Sequence, residues 1–435
     1  AKGIYLMNAA EAIFALDEAE FLAGQFDYPA SWYGLTHGQQ RALETIRSKV
    51  GRQPVISLDG AGGTGKTTAL RALADLLGRG TAVVVAPTNK AASVLQSKGV
   101  PAATLFARFF TLVEVSKSPK KMTFEPNDRM KTLGEGKISY APVVIVDEAS
   151  MLTTWALHHL RRMCDTLILV GDGNQLPPIG DREAPRGYFC TRQHDATLTE
   201  VLRNDGAVLK LASAIRVSPD GCALAGVDLD DYFPDDDFEL LFVLYQPQLV
   251  CWRNVVRRSL NIRARQVLGR SSVLPVPGDL MLCQNNYSET LLNGTQCVME
   301  YFSWSGSDRL ASVTLRLPDG EKTVAYLDML HFFKDQLPAQ VKEYANLVER
   351  FTHLDEEGAA LTYGYALTAH SAQGGEWPVV AVVDERAGIR EMGRKQFAED
   401  PKNLPPDEAC RRWAYTAVSR AKETVYVVNE RWTKH

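Results

Sequence analysis

A chain of 435 residues with 45% apolar and 23% charged residues has the composition of an ordinary soluble globular protein and the length of two to three domains, which excludes disorder as its dominant state. Its 48 Lys and Arg against 52 Asp and Glu leave a formal charge of −4, so a polyanion cannot be held by a uniformly basic surface and has to meet a local groove. Cys164, Cys190, Cys222, Cys251, Cys283, Cys297 and Cys410 form no CxxC pair and are odd in number, against a disulfide framework or a zinc knuckle and in favour of a reducing compartment. No apolar run reaches the roughly 18 residues of a membrane span, and the start of the chain lacks the basic and apolar segments of a signal peptide. These features predict a cytoplasmic protein with no membrane partner.

In chain order, β-branched apolar runs at Val55–Leu58, Ala82–Ala86, Val143–Val146 and Leu167–Val170 alternate with helix-forming stretches. Runs of this kind suit parallel strands buried on both faces. Lys117–Lys137 interrupts the series as a Lys-rich excursion, and the acidic stretch from Asp228 to Glu239 reads as a solvated loop. The series restarts after about residue 200 with Leu249–Trp252, Val379–Val383 and Val425–Val428, which predicts two α/β units in tandem. Between the later strands, Val298–Phe333 breaks into short alternating runs separated by Ser, Thr, Gly and Asp, the pattern of a small β-rich insert, and Asp335–Glu357 reads as a polar helical arm that projects.

Directly after Val55–Leu58 stands Gly60-Ala61-Gly62-Gly63-Thr64-Gly65-Lys66-Thr67, the pattern GxxxxGK[ST], followed by the helix-forming Thr68–Leu77. Glycines here let backbone N–H groups converge on phosphate oxygens, and the helix N-terminus adds its positive end. Gly60, Gly62, Gly63, Thr64, Gly65 and Thr68 therefore form the candidate phosphate cradle. Lys66 reaches the β and γ phosphates, and Thr67 offers a hydroxyl to Mg2+, which takes hard oxygen ligands. The run Val143–Val146 ends in Asp147-Glu148, two carboxylates at the strand edge where such sheets bind ligands. Asp147 suits the magnesium, largely through water, and Glu148 suits orienting and activating a water for attack on the γ-phosphate. Alone, such a pair is more often a solvated strand end; beside the Lys66 loop it reads as catalytic.

Further motifs accumulate in order: Leu35-Thr36-His37-Gly38-Gln39, Ala86-Pro87-Thr88-Asn89-Lys90-Ala91-Ala92, Gly171-Asp172-Gly173-Asn174-Gln175-Leu176-Pro177-Pro178 and Leu198-Thr199-Glu200-Val201-Leu202-Arg203. Gly364-Tyr365-Ala366-Leu367-Thr368-Ala369-His370-Ser371-Ala372-Gln373-Gly374-Gly375-Glu376 and Tyr415-Thr416-Ala417-Val418-Ser419-Arg420-Ala421-Lys422 complete the set. From residue 35 to 430 the ordered set resembles superfamily-1 DNA helicases, most closely the RecD/Dda-like branch that moves 5′ to 3′. The resemblance implies two tandem RecA-like P-loop domains with parallel sheets and ATP clamped between them. It further implies a β-hairpin insert in the first domain, and a small SH3-like β-barrel insert plus helical arm in the second. The implied borders are an N-terminal extension at 1–34, a first domain at 35–200 with a wedge-like insert at 111–137, and a second domain at 201–435 with the insert at 298–333 and the arm at 335–357.

By the same resemblance Gln39 recognises adenine, Gln175 senses the γ-phosphate and couples it to DNA, and Gly375 and Glu376 lie near the ribose. Arg203 and Arg420 match the family's two arginines that reach the γ-phosphate from the second domain. A guanidinium cannot deprotonate and spreads its donors in a fork, so it can stabilise charge on the transferring phosphoryl. Leu202 stands where many relatives carry a base-stacking Tyr, which leaves adenine stacking unassigned.

The resemblance puts Pro87, Thr88, Asn89 and Lys90 on single-stranded DNA, with Thr104 and Phe106 as the next contact and Thr368, His370 and Ser371 facing the strand from the second domain. Relatives carry His in place of Phe106 and often Lys in place of Ser371; the first change keeps a stacking face and the second removes a phosphate contact. Asn254 and Leu260–Arg263 match a second-domain strand motif, and a helix with a basic exposed face explains the same letters equally well. The hairpin excursion carries Met122 and Phe124 as candidate tip residues. Melting one base-pair step costs about 1.4 kcal/mol, and a solvated Lys-rich loop is the competing reading of these residues. The expected activity is ATP- and Mg2+-dependent unwinding of forked duplex by a protein active as a monomer, with the β-rich insert free for replication or repair proteins. A DNA-stimulated ATPase without efficient unwinding, and a nucleotide-gated loading module, are the alternatives.

Overall fold

The computed structural model describes residues 28–78, 81–117, 120–126, 140–200, 206–219, 238–288, 290–354 and 358–429. Its first unit is a six-stranded sheet of β1 (Val55–Gly60), β2 (Ala82–Ala86), β3 (Ala102–Thr104), β6 (Ala141–Val146), β7 (Cys164–Gly171) and β8 (Ala196–Leu198) in the order β3-β2-β6-β7-β1-β8. Every pairing in it is parallel. The apolar runs are continuous because helices cover both faces: Ile56, Leu58, Val144, Ile145, Leu167 and Leu169 are all fully buried. Helix Lys66–Leu77 inserts Ala69, Leu70, Ala72 and Leu73 into this core. Helix His37–Lys49 opens with a capping box in which Thr36 and Gln39 each bond the other's backbone.

Two further strands, β4 (Phe110–Lys117) and β5 (Lys120–Pro126), pair antiparallel as a separate hairpin inside the Lys-rich excursion. Its side chains, Met122 and Phe124 among them, and residues 127–139 lie outside what the structure describes, as do most of the acidic stretch and Arg203.

The second unit holds a four-stranded sheet, β15 (Ala366–Thr368), β9 (Gln248–Cys251), β16 (Trp377–Asp384) and β17 (Ala421–Asn429), in that order and parallel throughout. Packed beside it is a five-stranded antiparallel sheet of β10 (Leu280–Cys283), β11 (Gln296–Ser303), β12 (Leu310–Arg316), β13 (Lys322–Asp328) and β14 (Leu361–Tyr363), in the order β13-β12-β11-β10-β14. The antiparallel layer therefore reaches past the Val298–Phe333 stretch in both directions. Strands β10 and β14 are short and almost wholly buried, so they lack the alternation that marks β11 to β13. Residues Met329–Lys334 form a helix capped by Asp328, which ends the strand series.

The arm corrects an expectation. Instead of projecting as one polar helix, it makes a 3-10 turn at Lys342–Tyr344 and a helix at Ala345–Phe351 that lie against the antiparallel layer. Phe351 is fully buried, and Tyr344 stacks on Phe333 with ring centroids 4.6 Å apart. The apolar side chains of Leu347, Val348 and Phe351 outweigh the polar average of the segment. Residues 355–357 lie outside the described set. Among the described residues no helix is long and apolar enough to cross a membrane. Because Phe351 anchors the arm, Phe351→Ala is expected to destabilise the protein by about 3–5 kcal/mol, read from urea unfolding; a change near zero would mean the arm is not packed.

Candidate functional site

The loop between β1 and helix Lys66–Leu77 is closely wound. Gly63 and Gly65 have φ of 82° and 75°, and a Cβ on Gly60 would stand 2.7 Å from Thr64 Oγ1. Thr64 is buried and its hydroxyl donates to the Ala61 carbonyl at 2.8 Å. Lys66 Nζ donates to the carbonyls of Gly60 at 2.8 Å and Ala61 at 3.0 Å, arching over the loop. Gln39 Nε2 donates to the Thr64 carbonyl at 3.1 Å, so the capping box of one helix braces the loop that starts the next. Thr67 stands in the first turn of the helix, half-buried, and Thr68 beside it is exposed.

Parallel pairing of β6 with β2 and β7 carries Asp147 and Glu148 to the same sheet edge, with the Asp147 N–H bonded to the Val85 carbonyl. Burial pushes the Asp147 carboxyl up to about 7, with the Glu148 charge adding to it and Lys66 opposing it. Glu148 has φ 51°, a left-handed backbone uncommon for a residue with a side chain. One of its carboxylate oxygens, Oε2, is buried without a hydrogen-bond partner, as is Gln175 Oε1. The donor set suits a small hard cation: Thr67 brings a hydroxyl and Asp147 a crowded carboxylate that a cation would relieve. Among the described residues no cluster of three or more His, Cys, Asp or Glu forms a metal cage.

The second unit reaches this site through helix Pro406–Val418. Arg412 donates to the carbonyls of Gly173 and Gln175, Thr416 Oγ1 accepts from Leu176 N–H at 3.0 Å, and Tyr415 donates to Asp172 while accepting from Gly62 N–H at 3.1 Å. Arg216 pairs with Asp59 at 3.3 Å beneath the same turn, and Asp59 also accepts from Gly173 N–H at 2.8 Å. Arg420 follows that helix and is buried; its guanidinium donates to Thr416 O at 3.0 Å, Ser419 Oγ at 2.9 Å and Gly375 O at 3.3 Å. Its neighbour Ser419 faces the phosphate loop, with Cβ 3.9 Å from where a Cβ on Gly62 would stand. Glu376 lies 3.9 Å from Lys422 at the mouth of the cleft. Lys66, Asp147, Glu148 and Gln175 are thus gathered on the first unit, with Arg420 on the second. Arg412, Tyr415 and Arg216 are contributors that sequence reasoning did not single out. Tyr415 lay inside a quoted motif, and only the packing gives it partners.

A second cavity of about 640 Å3 runs across both units. Pro87, Thr88, Asn89, Lys90, Thr104 and Phe106 line it from the first, and His370 and Ser371 from the second. Thr88, Thr104 and Thr368 each cap the helix that follows. Thr368 does not itself line the cavity; its Oγ1 is 3.0 Å from Ser371 Oγ and accepts from Ser371 N–H. Asn254 is not brought to it either: its Oδ1 accepts from Arg257 Nε at 3.1 Å, on a helix tied to Asp335. Phe106 is half-buried with its ring 5.3 Å from Phe110, so part of it packs while part lines the cavity.

The wall also holds residues no motif announced: Met151, Thr153 and Ile179 from the first unit, and Gln284, Asn286 and Asn293 from the antiparallel layer. Asn89 donates to Asn286 Oδ1 at 3.0 Å across it. Lys90 is the single Lys or Arg among the described residues lining it. Its ammonium lies 3.8 Å from the Trp377 ring centroid, and burial, reinforced by Arg420, brings it down to about 7. Burial lowers His370 to about 4, which keeps the imidazole neutral.

Residues 34–226 match the family model of an AAA domain. Among solved structures the chain is similar to a Pif1 helicase from work on unwinding at forked dsDNA by two coordinating Pif1 helicases, with TM-score 0.55 and 17% identity over 92% of this chain and 94% of that one. It is similar to Pif1 helicase from Bacteroides in complex with ADP-AlF3 and ssDNA, with TM-score 0.54 and 17% identity over 90% and 92%. It is also similar to Pif1 helicase from Candida albicans, with TM-score 0.51 and 18% identity over 92% and 95%. The likeness is one of fold: two parallel α/β units with inserts.

Arg412 is the donor that both buried carbonyls of the Gln175 turn share. Arg412→Met should therefore cost about 1–3 kcal/mol for each carbonyl left unbonded, measured by urea unfolding; wild-type stability would show that the turn does not depend on this helix.

Proposed function

We propose that this chain, which carries the superfamily-1 helicase fold of the Pif1 helicases, is an ATP-hydrolysing motor that moves 5′ to 3′ on single-stranded DNA and opens forked duplex. The observation that carries the reading is a single seam between two α/β units: the phosphate loop, Asp147, Glu148 and Gln175 lie on one side of it and Arg420 follows the helix that closes the other. A strand-sized cavity crosses the same two units.

The roles follow from the chemistry of each group. Backbone N–H groups of the loop carrying Gly60, Gly62, Gly63, Thr64, Gly65 and Thr68 bind the phosphates, and Gly63 and Gly65 have the positive φ that glycine adopts freely. Lys66 leaves its two carbonyls for the β and γ phosphates. Thr67 and Asp147 would hold Mg2+, which would neutralise charge on the phosphates. Glu148, with an oxygen free of protein partners, orients and deprotonates the attacking water. Gln175 contacts the γ-phosphate, and Arg420 with Arg203 stabilises the charge on the transferring phosphoryl from across the seam. Gln39 stands beside the loop as the adenine contact, and Gly375 and Glu376 border the ribose.

Because the two sets of groups belong to different units, hydrolysis requires closure, and loss of the γ-phosphate releases it. The strand lies along Pro87–Lys90, Thr104, Phe106, His370 and Ser371, with Thr368 capping the short helix that carries the last two. The working division is a first domain at 35–200, a second at 201–435, the β4–β5 hairpin as wedge, and the antiparallel layer as a surface for replication or repair proteins. The protein acts as a monomer in the cytoplasm. Direction rests on the resemblance to the 5′ to 3′ branch and on the shortness of the hairpin insert.

Duplexes carrying a 5′ or a 3′ single-stranded tail test the reading directly. Unwinding of the 5′-tailed substrate alone, with ATP and Mg2+, is expected; preference for the 3′ tail would reverse the assignment, and strand-stimulated hydrolysis without unwinding would reduce it to a translocating ATPase. Lys66→Ala should abolish hydrolysis while weak strand binding remains, and turnover at the wild-type rate in that variant would remove Lys66 from the site.

Lys90 generates a pH prediction. Its ammonium, facing Arg420 and the Trp377 ring, is lost as pH rises through about 7. A strand phosphate beside it favours the charged form, so binding takes up a proton. Strand affinity is expected to weaken between pH 7 and 9, by at most about tenfold per unit for one proton. Lys90→Met should bind more weakly with a flat profile, measured by fluorescence anisotropy with a labelled oligothymidylate; a flat wild-type profile would contradict the contact.

A further inference from the structure

The roles above leave Tyr415 without one, yet its hydroxyl bonds two loops of the other unit at once. It accepts from the Gly62 N–H of the phosphate loop at 3.1 Å and donates to the Asp172 carboxylate. Tyr415 is 2% exposed and Asp172 fully buried, so water does not compete for either bond. Burial, with the Asp172 charge adding to it, holds the phenol well above its ordinary range, which keeps the proton on the oxygen and the donor intact.

Asp172 begins the turn that carries Gln175. Its carbonyl accepts from Gln175 N–H at 3.1 Å and its Oδ1 accepts from Asn174 N–H at 3.1 Å. On the other side, Ser419 N–H bonds the Tyr415 carbonyl and Arg420 bonds the carbonyl of Thr416. One hydroxyl therefore links the loop for the phosphates, the turn for Gln175 and the helix end for Arg420. A phenol can do this because a single oxygen both donates and accepts. Neither first-unit loop can form these bonds when the units part.

We infer that Tyr415 is a positioning residue, a key across the seam that sets the phosphate loop and the Gln175 turn in register with Arg420 when the two units are closed. The inference rests on the ATP-hydrolysing site proposed above. It predicts that the hydroxyl acts on turnover and little on nucleotide binding, since closure precedes the chemical step.

Tyr415→Phe keeps the buried ring and deletes both bonds. With ATP alone and with an oligothymidylate present, its kcat is expected to fall tenfold or more while KM for ATP stays within twofold. Asp172→Asn keeps an acceptor and should lose less. The double variant should be no slower than Tyr415→Phe, because the pair acts as one unit. Wild-type kcat in Tyr415→Phe overturns the inference, as do losses that multiply in the double variant. A purely structural tyrosine would lower the unfolding midpoint and raise KM together with the loss of kcat, and that pattern also overturns it. Should the wild type hydrolyse ATP with no response to the strand, the motor reading fails while the kcat comparison in ATP alone still decides Tyr415. No hydrolysis by the wild type overturns both.

Discussion

The buried polar seam between helix Pro406–Val418 and the turn after β7 is the contact on which the proposed chemistry depends. Gly173, Gln175 and Leu176 offer backbone groups that their own unit leaves unbonded, and Arg412 and Thr416 bond them from the other. Buried backbone groups without partners are costly, so these bonds hold the seam, together with Leu176 packed into the apolar core of the second unit. Such contacts are directional: they form in one relative placement of the two units and are lost together in others. A seam of that kind suits a cycle of closing and opening better than a broad apolar interface would.

Like charges are held close together around the seam. Asp147 and Glu148 crowd each other under low solvation, Lys90 and Arg420 are buried near one another, and the Arg420 guanidinium is bonded to carbonyls and a hydroxyl. Like charges held close together in a dry site store a preference for a counter-charge. Under the proposed function that counter-charge is a cation with its phosphates on the carboxylate side and phosphate on the cationic side. Lys90 belongs to the strand cavity and sits against Trp377, whose N–H bonds the Arg420 carbonyl. The cavity and the seam are thus neighbours in space although the segments that form them are far apart in the chain.

The strands with long β-branched runs, β1, β2, β6, β7, β9, β16 and β17, are legible from letters alone, because burial on both faces demands continuous apolar composition. The strands β3, β8, β14 and β15 are not. Each spans three residues, too few for a period to register, and tertiary pairing with a longer neighbour is what makes them strands. The arm shows the opposite failure: its average polarity hid three apolar side chains that a neighbouring layer covers. In the site, Gly60 to Thr67, Asp147 and Glu148 are readable since their chemistry follows from spacing along one strand-loop-helix unit. Gln175, Arg420 and the strand-facing residues are readable only through resemblance.

By itself the sequence determined the class of chemistry: a glycine-rich loop with Lys66 and Thr67, followed by carboxylates at a buried strand end, is local in the chain, and local geometry follows from backbone stereochemistry and hydrogen-bonding capacity. It also determined that two α/β units follow one another. Tertiary structure alone decided which surfaces of those units meet. Tyr415 beside Gly62, Arg412 beneath Gln175, Lys90 against Trp377 and Asn89 across from Asn286 are pairs from distant segments. No periodicity or spacing encodes them, since they depend on the order of strands in two sheets and on the angle at which one unit rests on the other.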